Sequence, residues 1–239
     1  MYKTIKIFGI NFIDADYKTI KKKLDKGGLL VLPSGPGLAT INNDKIYYDS
    51  IKKADLVLFD SGYLCLLLRL LKGIKVNKFS GFKFLKRFLL SLTNDKQKKI
   101  YLIDPSNKQS KTNKNYLKSK NINKIYQYVA PIYKKNRIYD TKLLNEIKKI
   151  KPEYILINLG GGTQEVLGSY LKKKLNYKPS IICSGAAISY FTKQQAPMTN
   201  FIDNIFLGWL VRIIFNPTVF LPRYLLAFKL FFLVQNTKI

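Results

Sequence analysis

The sequence predicts an α/β fold: parallel sheets covered by helices on both faces, followed by an amphipathic helical appendage at the C-terminus. Three observations carry this. Short apolar runs of strand length alternate with longer helix-period segments up to residue 198. The runs at 29–33, 154–158 and 180–183 are apolar almost throughout, as strands buried on both faces are. Turn residues follow several runs directly, in "LPSGPG", "FDSG" and "NLGGGT".

Taken in order, "MYKTIKIFGI" reads as a short strand without the long apolar core of a secretory signal. Asp14 or Asp16 caps a basic helix running to about Lys26, which Gly27-Gly28 ends. "LLVLP" is a buried strand closed by the turn "SGPG". A helix near Asp44–Lys53 leads to the strand "ADLVLFD", then to the apolar helix of "SGYLCLLLRLLKG" and the amphipathic helix of "SGFKFLKRFLLSL". The second half repeats the alternation. "KKIYLIDPS" is a strand ending at Asp104, a polar helix precedes the strand "KIYQYVAP", and Asp140 caps a helix to about Lys149. "YILIN" is a buried strand, Gln164 to Leu175 a helix, and "SIICSGAA" a last strand and turn. Strand–helix–strand units at this spacing make a parallel sheet. Three regions follow: an α/β half over 1–95, a second α/β half over 96–198, and a helical appendage over 199–239.

The appendage, "FIDNIFLGWLVRIIFNPTVFLPRYLLAFKLFFLV", is interrupted by Arg212, Arg223, Lys229, Pro217 and Pro222, which break up a single spanning helix. Short helices lying in a membrane interface fit better, with Trp209 and the Phe and Leu side chains beneath the cations. The alternative is that these helices cap the core or a subunit interface.

Composition limits the chemistry. The 239 residues include 42 Lys+Arg against 14 Asp+Glu, a net charge of +28, and no histidine. Histidine triads, histidine general bases and His-ligated zinc are therefore excluded, and a general base is sought first among the 14 carboxylates. Two isolated cysteines, Cys65 and Cys183, have neither metal nor redox spacing. The charge points only weakly to nucleic acid, because arginine occurs only at positions 69, 87, 137, 212 and 223, and arginine's fork dominates base and phosphate recognition. Lysines mixed with Asn and Ile, as in "KTNKNYLKSKNINKI", read as solvated background; an anionic membrane or ligand is the next reading, and nucleic acid is not expected as a partner.

Candidate sites gather at strand ends. In "YILINLGGGTQE", Gly160, Gly161 and Gly162 let the backbone approach a phosphate at a helix N-terminus, and Gln164 and Glu165 open that helix with groups able to hold a ribose or base. A purely structural tight turn is the alternative. Asp60 ends a strand and faces the ligand crevice, or else caps the helix after Gly62; both roles stand open. Ser34 ends the preceding strand at the same edge. Asp14-Ala15-Asp16 has the look of a metal-binding aspartate pair, but no strand delivers it, and capping is the favoured role.

With these residues placed, "KKADLVLFDSG", "GFKFL", "YILINLGGGTQE", "CSGAA" and "APMTNFIDNIFLGWLVRIIFNPTVFLPRYL" resemble, in that order, the WecG/TagA/CpsF glycosyltransferases (glycosyltransferase family 26), from "IFGINFIDA" onward. The resemblance implies a Rossmann-like fold and an inverting, UDP-sugar-dependent transferase, peripheral on the cytoplasmic face of the cell membrane. It would move an N-acetylmannosamine-type sugar to a polyprenyl-diphosphate-linked acceptor in cell-surface polysaccharide synthesis. Asp60 matches the family's base, and Gln164 and Glu165 its nucleotide-binding pair. Gly185 falls in its substrate-binding "CSGAA" block. Arg212 and Arg223 match basic residues of the membrane appendage, which Trp209 accompanies. Ser34 stands where the family usually has asparagine, beside the acceptor. Lys78 stands where it commonly has a diphosphate-binding arginine. Lys83, Ile188 and Gln195 also depart from the family pattern. No cofactor is expected to be required, a divalent metal is left open, and a homo-oligomer is compatible. The alternative is a non-catalytic nucleotide- or lipid-binding protein on the same fold.

Overall fold

The computed structural model describes residues 2–93, 95, 97–134 and 138–239, so Arg137 lies outside the described residues. Its eight strands are β1 (Lys3–Ile7), β2 (Ile10–Asp14), β3 (Gly28–Val31), β4 (Leu56–Leu58), β5 (Ile100–Asp104), β6 (Ile125–Val129), β7 (Tyr154–Ile157) and β8 (Ser180–Cys183). They form one sheet in the order β1-β2-β4-β3-β8-β7-β5-β6, antiparallel only between β1 and β2. Because β8 pairs with both β3 and β7, strands from 1–95 and 96–198 share a continuous ladder.

Two early elements differ from expectation. The opening run is a hairpin, not one strand, turned at Phe8 and Gly9 with φ of 53° and 73°. Asp14 therefore ends β2, and Asp16 alone caps α1 (Tyr17–Leu24), accepting the Thr19 amide at 2.7 Å. "SGPG" is not an open turn but the start of a helix, α2 (Gly35–Ala39), with Pro36 in its first turn, where no amide donor is needed. The remaining helices up to the appendage are α3 (Lys45–Lys52), α4 (Gly62–Lys72), α5 (Gly81–Thr93), α6 (Asn107–Ser119), α7 (Thr141–Ile150), α8 (Thr163–Lys174) and α9 (Ala187–Phe191).

Strand residues alternate between two cores. Leu29, Val31, Val57, Phe59, Ile155, Ile157, Ile181 and Cys183 face α2, α3, α4, α7 and α8. Leu30, Leu32, Leu56, Leu58, Leu102, Leu156 and Ile182 face α1, α5, α6 and α9. The period of two thus buries both faces, each large apolar side chain contributing roughly 1.5–3 kcal/mol. Gly168 lets α8 settle on β3 and β8: a Cβ there would lie 2.7 Å from Leu29 Cδ1 and 3.1 Å from Cys183 Sγ.

The C-terminal segment forms α10 (Asn200–Asn204), α11 (Gly208–Phe215), α12 (Pro217–Ala227) and α13 (Lys229–Asn236). It folds back over α2 and α4, with α12 against α2 and α13 against both. Leu230 and Val234 are fully buried in the first core, whereas Trp209, Ile214, Leu225, Phe228 and Phe232 remain exposed. Residues Pro217–Asn236 are long and apolar enough to cross a membrane by length and composition, yet one side of this stretch is committed to the protein.

Candidate active site

Parallel register brings the strand ends together. Val31 pairs with Val57 and with Cys183, and Cys183 with Ile157. Counting forward, Ser34, Asp60, Gly160 and the Ser184–Gly185 turn therefore emerge along one edge, the carboxyl edge where open α/β sheets bind ligands.

Asp60 does not cap α4. Ser61 does so, accepting the Leu64 amide at 3.2 Å. Asp60 instead reaches the first residue of α5: its Oδ1 accepts the Gly81 amide at 2.7 Å. Among the described residues, no protein group donates to Oδ2. Burial raises the Asp60 pKa, the Gly81 hydrogen bond, Arg212 and Lys78 oppose that rise, and Asp203 adds to it. A half-buried carboxylate with one oxygen anchored and the other unclaimed has the arrangement of a general base.

Ser34 caps α2, its Oγ 3.4 Å from the Gly37 amide. The loops after β3 and β4 pack so closely that a Cβ on Gly35 would lie 2.8 Å from Ser61 Oγ.

Across the edge, nothing lies within 4 Å of where a Cβ would stand on Gly160, Gly161 or Gly162, so this loop faces open space. Gly162 has φ of +90°, a conformation that suits glycine. Gln164 and Glu165 hold the loops rather than project from them. Glu165 accepts the Gly162 amide at 2.7 Å and the Gln164 carboxamide at 2.9 Å, while Gln164 Oε1 accepts the Gly185 amide at 2.7 Å. Burial drives the Glu165 pKa up to about 7 against these hydrogen bonds. Gly185, at φ +55°, is thereby tied to the glycine loop.

Lys78 is engaged within the protein. Its ammonium donates to Asp203 Oδ1 at 2.7 Å and to the Asp203 carbonyl at 2.6 Å, and it lies 5.1 Å from the centre of the Phe206 ring. Asp203 is a residue that sequence reasoning missed. Its signal was available: it is the sole carboxylate after Glu165, in an otherwise apolar segment. A second missed group is Asp104, fully buried at the end of β5, with Oδ1 accepting from Asn113 and Asn158, each at 2.7 Å. Ser184 donates to Asn158 Oδ1 at 2.9 Å, linking the ends of β5, β7 and β8.

The three appendage residues separate. Arg212 is half-buried, 5.1 Å from the Tyr190 ring and 5.7 Å from the Phe220 ring, and its charge is felt at Asp60. Arg223 and Trp209 are exposed. Asp14 holds the Asn77 backbone and side chain at 3.2 and 3.0 Å, so both members of the Asp14–Asp16 pair serve protein donors.

Residues 5–239 match the model of the glycosyl transferase WecG/TagA/CpsF family. The chain belongs to that family. Membership implies glycosyl transfer in cell-surface polysaccharide synthesis. No curated protein matches the chain. As a WecG/TagA/CpsF member, the chain carries its candidate base and glycine loop on opposite sides of β8, with the appendage packed on α2, α4 and α5.

Proposed function

We propose that the chain is an inverting, UDP-sugar-dependent glycosyltransferase that moves an N-acetylmannosamine-type sugar onto a polyprenyl-diphosphate-linked acceptor at the cytoplasmic membrane face. The observation that carries the reading is Asp60, anchored through one oxygen at the carboxyl edge of the sheet and unclaimed at the other. Asp60 Oδ2 takes the proton of the acceptor hydroxyl as that oxygen attacks the anomeric carbon. The bond to the diphosphate breaks on the opposite face, which inverts the configuration.

The departing diphosphate gains negative charge. The Gly160 and Gly161 amides ahead of α8, together with the Arg212 guanidinium, are the groups suited to stabilise it. In this reading Lys78 contributes from a fixed position, since Asp203 holds its ammonium. Ser34, beside Ser61, lies on the acceptor side. The exposed apolar residues of α11–α13, with Arg223 at their border, supply the membrane-facing surface.

Incubation with UDP-N-acetylmannosamine and a lipid-diphosphate-linked sugar acceptor tests this. Release of UDP coupled to an extended lipid product is expected. A panel of uridine nucleotides should raise the melting temperature by mass action. No response to any uridine nucleotide and no product would overturn the reading.

A further inference from the structure

The first helix of the appendage is bolted to the segment that holds Asp60. Asp203, on α10, is nearly buried and uses every acceptor it has. Oδ1 and the backbone carbonyl take the Lys78 ammonium at 2.7 and 2.6 Å, and Oδ2 takes the Ser80 hydroxyl at 2.8 Å. Ser80 Oγ in turn accepts the Lys83 amide at 3.1 Å, closing the first turn of α5. The next amide, of Gly81, is the one that anchors Asp60. Three residues beyond Asp203, Phe206 lies against Gly62, where a Cβ would come within 2.5 Å of its ring, and beneath the Lys78 ammonium. Asp203 and Asp60 thus both hold the strap Lys78–Gly81, through different groups.

We infer that Asp203 is a positioning residue that fixes the strap carrying the Gly81 amide, so that Asp60 is correctly placed only when the C-terminal helices are seated. This rests on the reading of Asp60 as the base. The ion pair itself is nearly dry, with side chains 12% and 9% exposed. Removing one partner therefore leaves the other buried without its counter-charge and loosens the strap. A displacement of about 1 Å at a reacting group lowers turnover on the order of a hundredfold.

The test uses the full chain with Asp203→Asn, Asp203→Glu and the milder Ser80→Ala. Asp203→Asn is expected to lower kcat at least about tenfold with little change in donor KM, because the glycine loop follows β7, away from the strap. Asp203→Glu should recover part of that loss, and Ser80→Ala should show a smaller fall in the same direction. A pH profile separates positioning from general damage. The groups facing Asp60 are Lys78, Arg212, Asp203, Glu165, Tyr47 and Cys65. Of these, Asp203→Asn removes a negative charge that raises the Asp60 pKa, so the acid limb of kcat/KM should move to lower pH. Trp209, the one tryptophan, provides a readout independent of activity. In Asp203→Asn its urea transition should move below that of the backbone signal, as the appendage leaves first. Coincident transitions in Asp203→Asn would overturn the inference even if the wild type transfers no sugar. So would an active wild type matched by unchanged kcat and an unmoved acid limb, an outcome that leaves Asp60's role intact.

Discussion

The Glu165 carboxylate accepts the Gly162 amide at 2.7 Å, closing the glycine loop onto the first turn of its own helix. That carboxylate is almost completely buried, and burial lifts its pKa from 4.5 to about 7. The folded protein consequently holds a proton that the unfolded chain releases near its ordinary pKa. Stability is full below the unfolded value and falls as pH rises from about 4.5 to about 7, by an amount on the order of 3 kcal/mol. Glu165→Gln removes this titration. Urea unfolding across pH 4 to 8 should show a flatter stability profile for the variant, offset by about 1 kcal/mol for one weakened hydrogen bond. An unchanged slope would place the titration elsewhere.

Asp60→Asn keeps the shape of the side chain and an oxygen for the Gly81 amide, but it cannot take a proton. Transfer should fall by about 10²–10⁴-fold. Binding of UDP, read by calorimetry, should stay within about threefold, because the glycine loop and α8 follow β7, whereas Asp60 follows β4. Near-normal turnover would remove Asp60 from the mechanism.

The fold was legible where local pattern and tertiary demand agree. Continuous apolar runs such as "YILIN" and "SIIC" are buried on both faces, and their strand identity needed no partner to be seen. The β1–β2 hairpin was hidden because its turn is Phe8-Gly9, and phenylalanine at positive φ is a choice that no turn signal announces. Asp60 was legible as a strand-end carboxylate, but setting aside the capping role needed three dimensions. Its partner, the Gly81 amide, lies 21 residues away, and Ser61 already caps α4. Asp203 could be noticed as the lone carboxylate of an apolar segment, but its partners could not: its contacts with Lys78 and Ser80 span more than 120 residues of chain. Lys78, which stands where the family commonly has a diphosphate-binding arginine, holds its ammonium against Asp203.

Two glycines of the nucleotide side should respond oppositely to alanine. At Gly161 an added methyl meets nothing, so Gly161→Ala should leave the urea midpoint within about 0.5 kcal/mol of wild type. On the proposed reading its effect should fall on the donor KM, since the methyl enters the open space beside the loop amides. At Gly168 the methyl would collide with Leu29 and crowd Cys183. Overpacking costs about 1–3 kcal/mol against at most about 1 kcal/mol of helix propensity regained, so Gly168→Ala should be net destabilised. Unchanged donor KM in Gly161→Ala would assign the loop a structural role only.

The appendage has an inward and an outward face, and they can be separated by mutation. Deleting residues 201–239 cannot do so, because it also removes Asp203 and strips Leu230 and Val234 from the first core, exposing α2 and α4. Leu225 and Phe232 are 57% and 64% exposed, and Leu230 is 0% exposed. The double variant Leu225→Gln/Phe232→Gln should unfold at the wild-type urea concentration. It should nevertheless lose about tenfold or more in affinity for phosphatidylglycerol-containing vesicles, since each large apolar side chain sunk in lipid contributes roughly 1.5–3 kcal/mol. Leu230→Ala should behave the other way, losing about 2–5 kcal/mol of stability through the cavity it leaves between α13 and α4. Vesicle flotation at low and high salt completes the comparison: Arg223 and Lys229 border the outward face, so part of the binding should weaken as salt screens them. Full vesicle binding by the double variant would show that the outward face of α12 and α13 does not meet the membrane.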